Sequence, residues 1–203
     1  MELFTLLMVV TMGVFVLKGR ERAARVALLG GYLRRYQIEK LMGALTEGYL
    51  RVLGEKDEER RVQVWRILET TEHNLAEQLR TFAQDFAQVE ATEARVSTFA
   101  LALPYADRWM PSATFDLREA LRIHARGVAA AVSSSDDDAE ARRRQAYTMT
   151  AELYLLQHTC HWYCRSATVA SVRLMARHKT SYEQVLAGVS PATREAYRQL
   201  TGI

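Results

Sequence analysis

Apolar residues recur at steps of three and four along most of the chain that follows residue 31. The most regular series lies between Asp57 and about Ala91, and one position in it, Glu72, is charged. Its apolar members are Trp65, Leu68, Leu75, Leu79, Phe82, Phe86 and Val89. Because these steps place the side chains on one face of a helix, the series predicts a long helix that packs against other helices in a bundle.

Three similar series predict further helices over residues 32–53, 115–132 and 139–177. Gly30-Gly31 predicts a break before the first of these helices, since glycine is a poor helix former. The series in 139–177 has the widest apolar face, so we expect this helix to have neighbours on several sides.

Two short helices are predicted to close the chain. Thr180 and Glu183 have the spacing of a capping box, in which two side chains bond the free amides at a helix start. Ser190-Pro191 has the pattern of a capping residue followed by proline at the first helical position.

Two segments between the predicted helices lack a regular pattern. Residues 93–114 are interrupted by prolines and contain Tyr105 and Trp109, which favours either a contact surface or a connection that covers the core. Residues 133–138 are serines and aspartates, which predicts a flexible acidic loop.

The N-terminal segment differs from the rest because its apolar residues are continuous. No charged residue occurs from Leu3 to Leu17, and Lys18 follows at once. A secretory signal peptide carries its positive charge before the apolar run, so the reversed order favours an uncleaved membrane anchor. The side chains expected to contact lipid are Leu3, Phe4, Leu6, Leu7, Val9, Val10, Val14, Phe15 and Leu17.

The length of this segment leaves an alternative open. A helix from Leu3 to Leu17 measures about 22 Å, whereas the hydrocarbon core of a bilayer is about 30 Å thick. The alternative is a helix buried in the protein or in an oligomer interface. The sequence therefore predicts an all-α fold, with an apolar anchor over residues 1–19 and a multi-helix bundle over residues 20–203.

Positive charges concentrate directly after the apolar segment. The chain has a net charge of +3, and the residues expected to face lipid head groups are Lys18, Arg20, Arg22 and Arg25. The alternative for this cluster is an ordinary solvated helix face. Because basic segments remain in the cytoplasm, the pattern predicts a single-pass protein with its body inside the cell. Most basic residues are arginine, as in many bacteria with GC-rich genomes, so we expect the inner membrane.

One region concentrates residue types that bind metals. His158, Cys160, His161 and Cys164 share a predicted helix, and His124 lies on another. Two thiolates and an imidazole on one helix face suit a soft metal or a haem. The chain lacks the turn-based cysteine pairs of structural zinc sites, however, and we favour reduced cysteines and histidines in the protein interior.

Known catalytic motifs are absent from the sequence. It contains no glycine-rich phosphate loop, no paired Glu-x-x-His motifs and no nucleophile elbow. Nucleic-acid binding is not expected, because the short run Arg142–Arg144 follows Asp136–Asp138 closely. The expected function is a non-enzymatic, membrane-associated protein without a cofactor that binds another protein or itself. The alternative is a metal- or haem-binding bundle.

Overall fold

The computed structural model of the chain describes residues 1–100, 104–133 and 138–202. Within these residues the regular structure is almost entirely helical, which confirms the all-α class and the apolar N-terminal helix followed by a bundle. The elements in chain order are α1 (Glu2–Leu33), α2 (Ile38–Gly54), α3 (Glu58–Phe86), β1 (Arg95–Ser97), α4 (Ala106–Trp109), a 3-10 turn (Pro111–Ala113), β2 (Thr114–Asp116), α5 (Leu117–Ser133), α6 (Ala139–Cys164), α7 (Ala167–His178), α8 (Tyr182–Gly188) and α9 (Pro191–Thr201).

The predicted acidic loop over 133–138 falls mainly outside the described residues, which omit 134–137. Its two ends adjoin helices. Ser133 is the last residue of α5, and the side chain of Asp138 accepts a hydrogen bond from the backbone N–H of Ala141 at the start of α6.

The break predicted at Gly30-Gly31 is wrong, because α1 continues to Leu33. Two glycines inside a helix each cost about 1 kcal/mol relative to alanine. Contacts with the bundle offset this cost, since Leu29 is buried and the ring of Tyr32 packs edge-on against Phe86 at 5.2 Å between centroids. The predicted boundary at residue 19 lies inside this continuous helix, and α2 begins at Ile38 instead of residue 32.

Helices α3, α5 and α6 form the centre of the bundle. Helix α2 packs along α3, while α7 and α8 pack on α6 and α9 packs on α5. Helix α6 contacts α1, α2, α5, α7 and α8, in agreement with its wide apolar face. The main core contains large aliphatic and aromatic side chains, including Leu45, Leu75, Leu79, Phe82, Leu121, Met149 and Leu153.

The segment 93–114 contributes to a small antiparallel sheet that the sequence pattern did not predict. Strand β1 pairs with β2, and Val96 lies opposite Phe115. The indole N–H of Trp162 donates to the backbone oxygen of Ser97 at 2.9 Å, and the Trp162 ring packs edge-on against Phe115. These contacts fix the end of α6 beside the sheet.

The single helix predicted over 139–177 is wrong, because the structure contains α6 and α7 instead. Arg165 leaves the helical conformation, with φ of −139° and ψ of −89°. Ser166 then starts α7, as its hydroxyl accepts a hydrogen bond from the backbone N–H of Val169 at 3.3 Å. The turn lets α7 pack back against α6 and places Arg165 at the corner between them.

The capping box at the start of α8 lies one residue later than predicted. Ser181 and Gln184 form it, in place of Thr180 and Glu183, because the side chain of Gln184 accepts from the backbone of Ser181 at 2.8 Å. The predicted start of α9 is confirmed, with Ser190 as its cap and Pro191 as its first residue.

Candidate functional site

The first half of α1 extends away from the bundle. All nine side chains predicted to contact lipid are exposed, and Leu3 and Phe15 retain 81% and 77% of their accessible surface. Among the described residues, α1 is the one helix long and apolar enough to cross a bilayer, and its most apolar stretch is not buried. Residues 2–19 measure about 27 Å, which is close to the hydrocarbon thickness of about 30 Å. Within a single chain, the alternative of a buried helix therefore has no support.

The second half of α1 is bound to the bundle through Arg25. Its guanidinium donates to the backbone oxygen of Tyr163 at 3.1 Å and lies over the ring of that residue. The same group pairs with Glu21 at 2.9 Å and lies 3.2 Å from Asp107 Oδ1, close enough for an ion pair although not aligned as a hydrogen bond. We call Glu21, Arg25, Asp107 and Tyr163 the Arg25 cluster. It joins α1, α4 and α6.

The structure separates the four basic residues that were expected to face lipid. Lys18, Arg20 and Arg22 are exposed. The side chain of Arg25 is only 15% exposed and faces the bundle, so its assignment to the lipid-facing cluster is corrected. The reason is helical geometry, since Arg25 and Glu21 are one turn apart on the face that contacts α4 and α6.

A cavity of about 390 Å³ lies between α1, the end of α6 and the start of α7; we call it the α1–α7 cavity. Its walls combine charged and apolar side chains. Lys18, Arg22 and Arg165 contribute positive charge, while Phe15 and Val169 contribute apolar surface. Glu21 and Asp107 also line this cavity, but both interact with Arg25. Its remaining charge is therefore positive.

Apart from Arg25, the cations around this cavity lack counterions within the part of the chain that the structure describes. No carboxylate there lies within 4.0 Å of the charged groups of Arg22, Arg165 or Arg173. Burial lowers the pKa of Arg165, and the positive charges of Arg22 and Arg173 lower it further. Positive groups that repel one another in this way favour the binding of an anion.

The five predicted metal ligands do not converge on one point. Cys160, His161 and Cys164 line a second, mainly apolar cavity of about 220 Å³ between α1, α2, α3 and α6. Both cysteines are free thiols and are half-buried. Burial raises the pKa of Cys160 to about 12 and also raises that of Cys164. Because metals bind the thiolate form, a metal at this position would have to displace the protons of two buried thiols.

His124 and His158 lie in separate interior environments. The Nε2 atom of His124 is 2.9 Å from the hydroxyl of Thr159, which is in turn 2.8 Å from the hydroxyl of Tyr197. The Nε2 atom of His158 is 3.1 Å from the hydroxyl of Ser171. Burial lowers the pKa of His124 to about 3 and that of His158 to about 4, so both rings are neutral at physiological pH.

The described residues contain no group of three or more histidine, cysteine, aspartate or glutamate side chains placed to hold a metal ion. The spacing in the sequence brings Cys160 and Cys164 together, as expected for one helix. It does not bring His124 or His158 to them, since each of these rings bonds a hydroxyl elsewhere in the bundle.

Two buried acids were not predicted as polar interior groups. Glu72 accepts hydrogen bonds from the hydroxyl of Tyr49 at 2.5 Å and from the side-chain amide of Gln145 at 3.2 Å. Glu152 accepts one from the backbone N–H of Ser190 at 3.1 Å. Burial raises the pKa of both carboxyl groups. The sequence signal that could have identified such a group is a charged residue at a position where the helical repeat otherwise places an apolar one. Glu72 lies on that stripe and joins α2, α3 and α6.

Comparison of the chain with protein-family models, with curated proteins and with solved structures finds no match.

Proposed function

We propose that this protein is a non-enzymatic, single-pass membrane protein whose helical body is held at the cytoplasmic surface of the inner membrane and binds another protein there. One observation carries the proposal: the first half of α1 is apolar on every side, and its apolar side chains remain exposed. Exposed apolar surface of this extent is costly in water and is stabilised by hydrocarbon.

A helix that lies flat on a membrane needs a polar face, and this segment has none. Its two threonines bond their own backbone, as Thr5 Oγ1 donates to Met1 O at 3.1 Å and Thr11 Oγ1 donates to Leu7 O at 2.7 Å. Hydroxyls satisfied within the helix are compatible with a lipid environment. These features support a spanning orientation over a surface-bound one.

The orientation follows from charge, since Lys18, Arg20 and Arg22 come directly after the apolar segment and Glu2 precedes it. Because α1 is continuous and the Arg25 cluster ties its second half to the bundle, the body is held against the surface without a flexible linker. Trp109 on α4 is 81% exposed and lies next to this end of the bundle. Tryptophan is enriched at membrane–water interfaces, which is consistent with this placement.

A protein partner is supported by an exposed apolar stripe on α7. Val169, Val172 and Met175 are three residues apart on this helix, and Val172 is 62% exposed. Residues at this spacing share a helix face, so they present a continuous apolar surface to a second protein or another copy of the chain. The metal- or haem-binding alternative is not proposed, since the predicted ligands occupy separate environments.

The anchor is tested by fractionation of native membranes. Full-length protein should resist extraction by high salt and by alkaline carbonate and should dissolve in detergent. A version that begins at Arg20 should be soluble and should keep its helical signal and cooperative melting, because the cut leaves the Arg25 cluster intact. A full-length protein that is monomeric in detergent-free buffer, with a truncated form that fails to fold, would contradict the proposal.

The partner is tested by purification in mild detergent and measurement of the assembly mass. A stoichiometric partner or a homo-oligomer is expected with the native chain, and Val172→Asp should disrupt it. Ile67→Asp is the matched control, because Ile67 is a similarly exposed aliphatic residue on α3 (66% exposed). A monomer without a partner, or equal loss with both variants, would contradict this part of the proposal.

A further inference from the structure

The α1–α7 cavity lies at the depth of the lipid head groups if α1 crosses the bilayer as proposed above, and the inference below rests on that proposed function. Arg22 follows the last apolar residue, Leu17, by five positions, which is about 7 Å along a helix axis. The head-group layer on each side of a bilayer is about 5–7 Å thick. Phe15, at the other end of the cavity, remains at the edge of the hydrocarbon.

Positive groups from distant parts of the chain meet at this depth. Lys18 and Arg22 come from α1, and Arg165 comes from the corner between α6 and α7. Arg173, on α7, adds its field to the same region. None of Arg22, Arg165 and Arg173 forms an ion pair with a carboxylate among the described residues, so the cavity has an excess of positive charge.

The two acids in the cavity wall offset these cations only in part, because together with Arg25 they leave one negative charge against the three positive charges of Lys18, Arg22 and Arg165. Glu21 and Asp107 both interact with Arg25, and the remaining Glu21 oxygen accepts a hydrogen bond from the backbone N–H of Tyr105 at 3.0 Å. Ser166 and Thr168, at the start of α7, also line the cavity. Arginine side chains suit phosphate because their planar fork of N–H groups matches its oxygens.

The apolar part of the wall indicates what kind of anion fits. Phe15, Phe99 and Val169 line the cavity together with the cations, so an amphipathic molecule is better matched than a free ion. The volume of about 390 Å³ lies in the ordinary range of small-molecule sites. We propose that the α1–α7 cavity binds the phosphate group of an acidic phospholipid, with the acyl chains leaving past Phe15 into the bilayer.

The test uses full-length protein purified in non-ionic detergent and loaded with phosphatidylglycerol or phosphatidylcholine, with retained lipid measured by native mass spectrometry. The native chain should retain one phosphatidylglycerol in preference to phosphatidylcholine. The variant Arg22→Gln/Arg165→Gln should bind phosphatidylglycerol about tenfold more weakly or worse. The matched control, Arg51→Gln/Arg66→Gln, removes the same charge from exposed positions outside the cavity and away from the anchor, and it should bind within about twofold of the native chain.

Three results would overturn the inference: equal losses in the two variants, equal retention of the two lipids, and full displacement of phosphatidylglycerol by millimolar inorganic phosphate. The last result would assign the cavity to a free anion. Circular dichroism of each variant must show native helicity. If the double variant Arg22→Gln/Arg165→Gln unfolds, the single variant Arg165→Gln is used in its place. Carbonate extraction of both variants separates this inference from the proposed function, because loss of the lipid site should leave the anchor in the membrane. Extraction of the native chain from the membrane by alkaline carbonate would refute the anchor, whatever lipid the chain retains in detergent.

Discussion

Removal of the Arg25 side chain should weaken the attachment of α1 to the bundle and lower the stability of the body. In the folded chain this guanidinium bonds the backbone oxygen of Tyr163 and pairs with Glu21 and Asp107. Arg25→Ala leaves Asp107, which is 5% exposed, without a compensating charge. The structure contains no second cation within ion-pair distance of this carboxylate among the described residues.

The expected cost follows from these contacts. A hydrogen bond to a charged group contributes about 1.5–3 kcal/mol, and removal of one partner from a buried ion pair costs about 3–5 kcal/mol. The Arg25 side chain is 15% exposed and borders a cavity, so solvent reduces the penalty and we expect about 3 kcal/mol. For a chain of 203 residues this corresponds to a melting temperature lower by roughly 6–12 °C.

The assay is thermal unfolding of the full-length protein in mild detergent, followed by circular dichroism. Arg35→Ala is the control, because its pair with Asp85 is 3.8 Å long and the two side chains are 60% and 43% exposed. That variant should lose less than about 1 kcal/mol. Addition of Asp107→Asn to Arg25→Ala should restore part of the stability, since it removes the unpaired buried charge. Equal effects of Arg25→Ala and Arg35→Ala, or no recovery with Asp107→Asn, would refute this reasoning.

Three further predictions concern the interior of the bundle. Burial lowers the pKa of His124 from its ordinary value of 6.5 to about 3, so the unfolded state binds the extra proton between these values. His124 should therefore contribute a loss of stability of about 1.4 kcal/mol per pH unit as the pH falls below 6.5, and the stability of His124→Phe, measured by chemical denaturation, should depend less steeply on pH. Burial raises the pKa of Cys160 to about 12, so this thiol should react slowly with thiol reagents at pH 8 and quickly after unfolding. Fast labelling of the native protein would contradict this prediction. Gly127→Ala introduces a methyl group that overlaps the hydroxyl of Thr193, so it should lower the stability by about 1–2 kcal/mol. Gly43→Ala places its methyl group in open space and should raise the stability by up to about 1 kcal/mol. Equal shifts in melting temperature for the two variants would refute the packing argument.

The helices were predictable because their signal is local. A step of three or four residues places apolar side chains on one face whatever the helix later contacts, and this step occurs in α2, α3, α5 and α6. Where helices end was less predictable. Gly30-Gly31 remains helical because Tyr32 packs on Phe86, and α6 stops at Cys164 beside a sheet whose strands are too short to show alternation.

The sequence by itself determined that the chain is helical, that its first helix is apolar on all sides, and that cations follow that helix directly. Only the tertiary structure decided which of those cations remain available to bind an anion. Arg25 turns into the bundle, while Arg22 lines the same cavity as Arg165, a residue more than a hundred positions later. It also decided that His124 and His158 bond separate hydroxyls and do not join Cys160. The physical reason is that periodicity records which face of a single helix is apolar, whereas the convergence of groups from different helices depends on how those faces pack together.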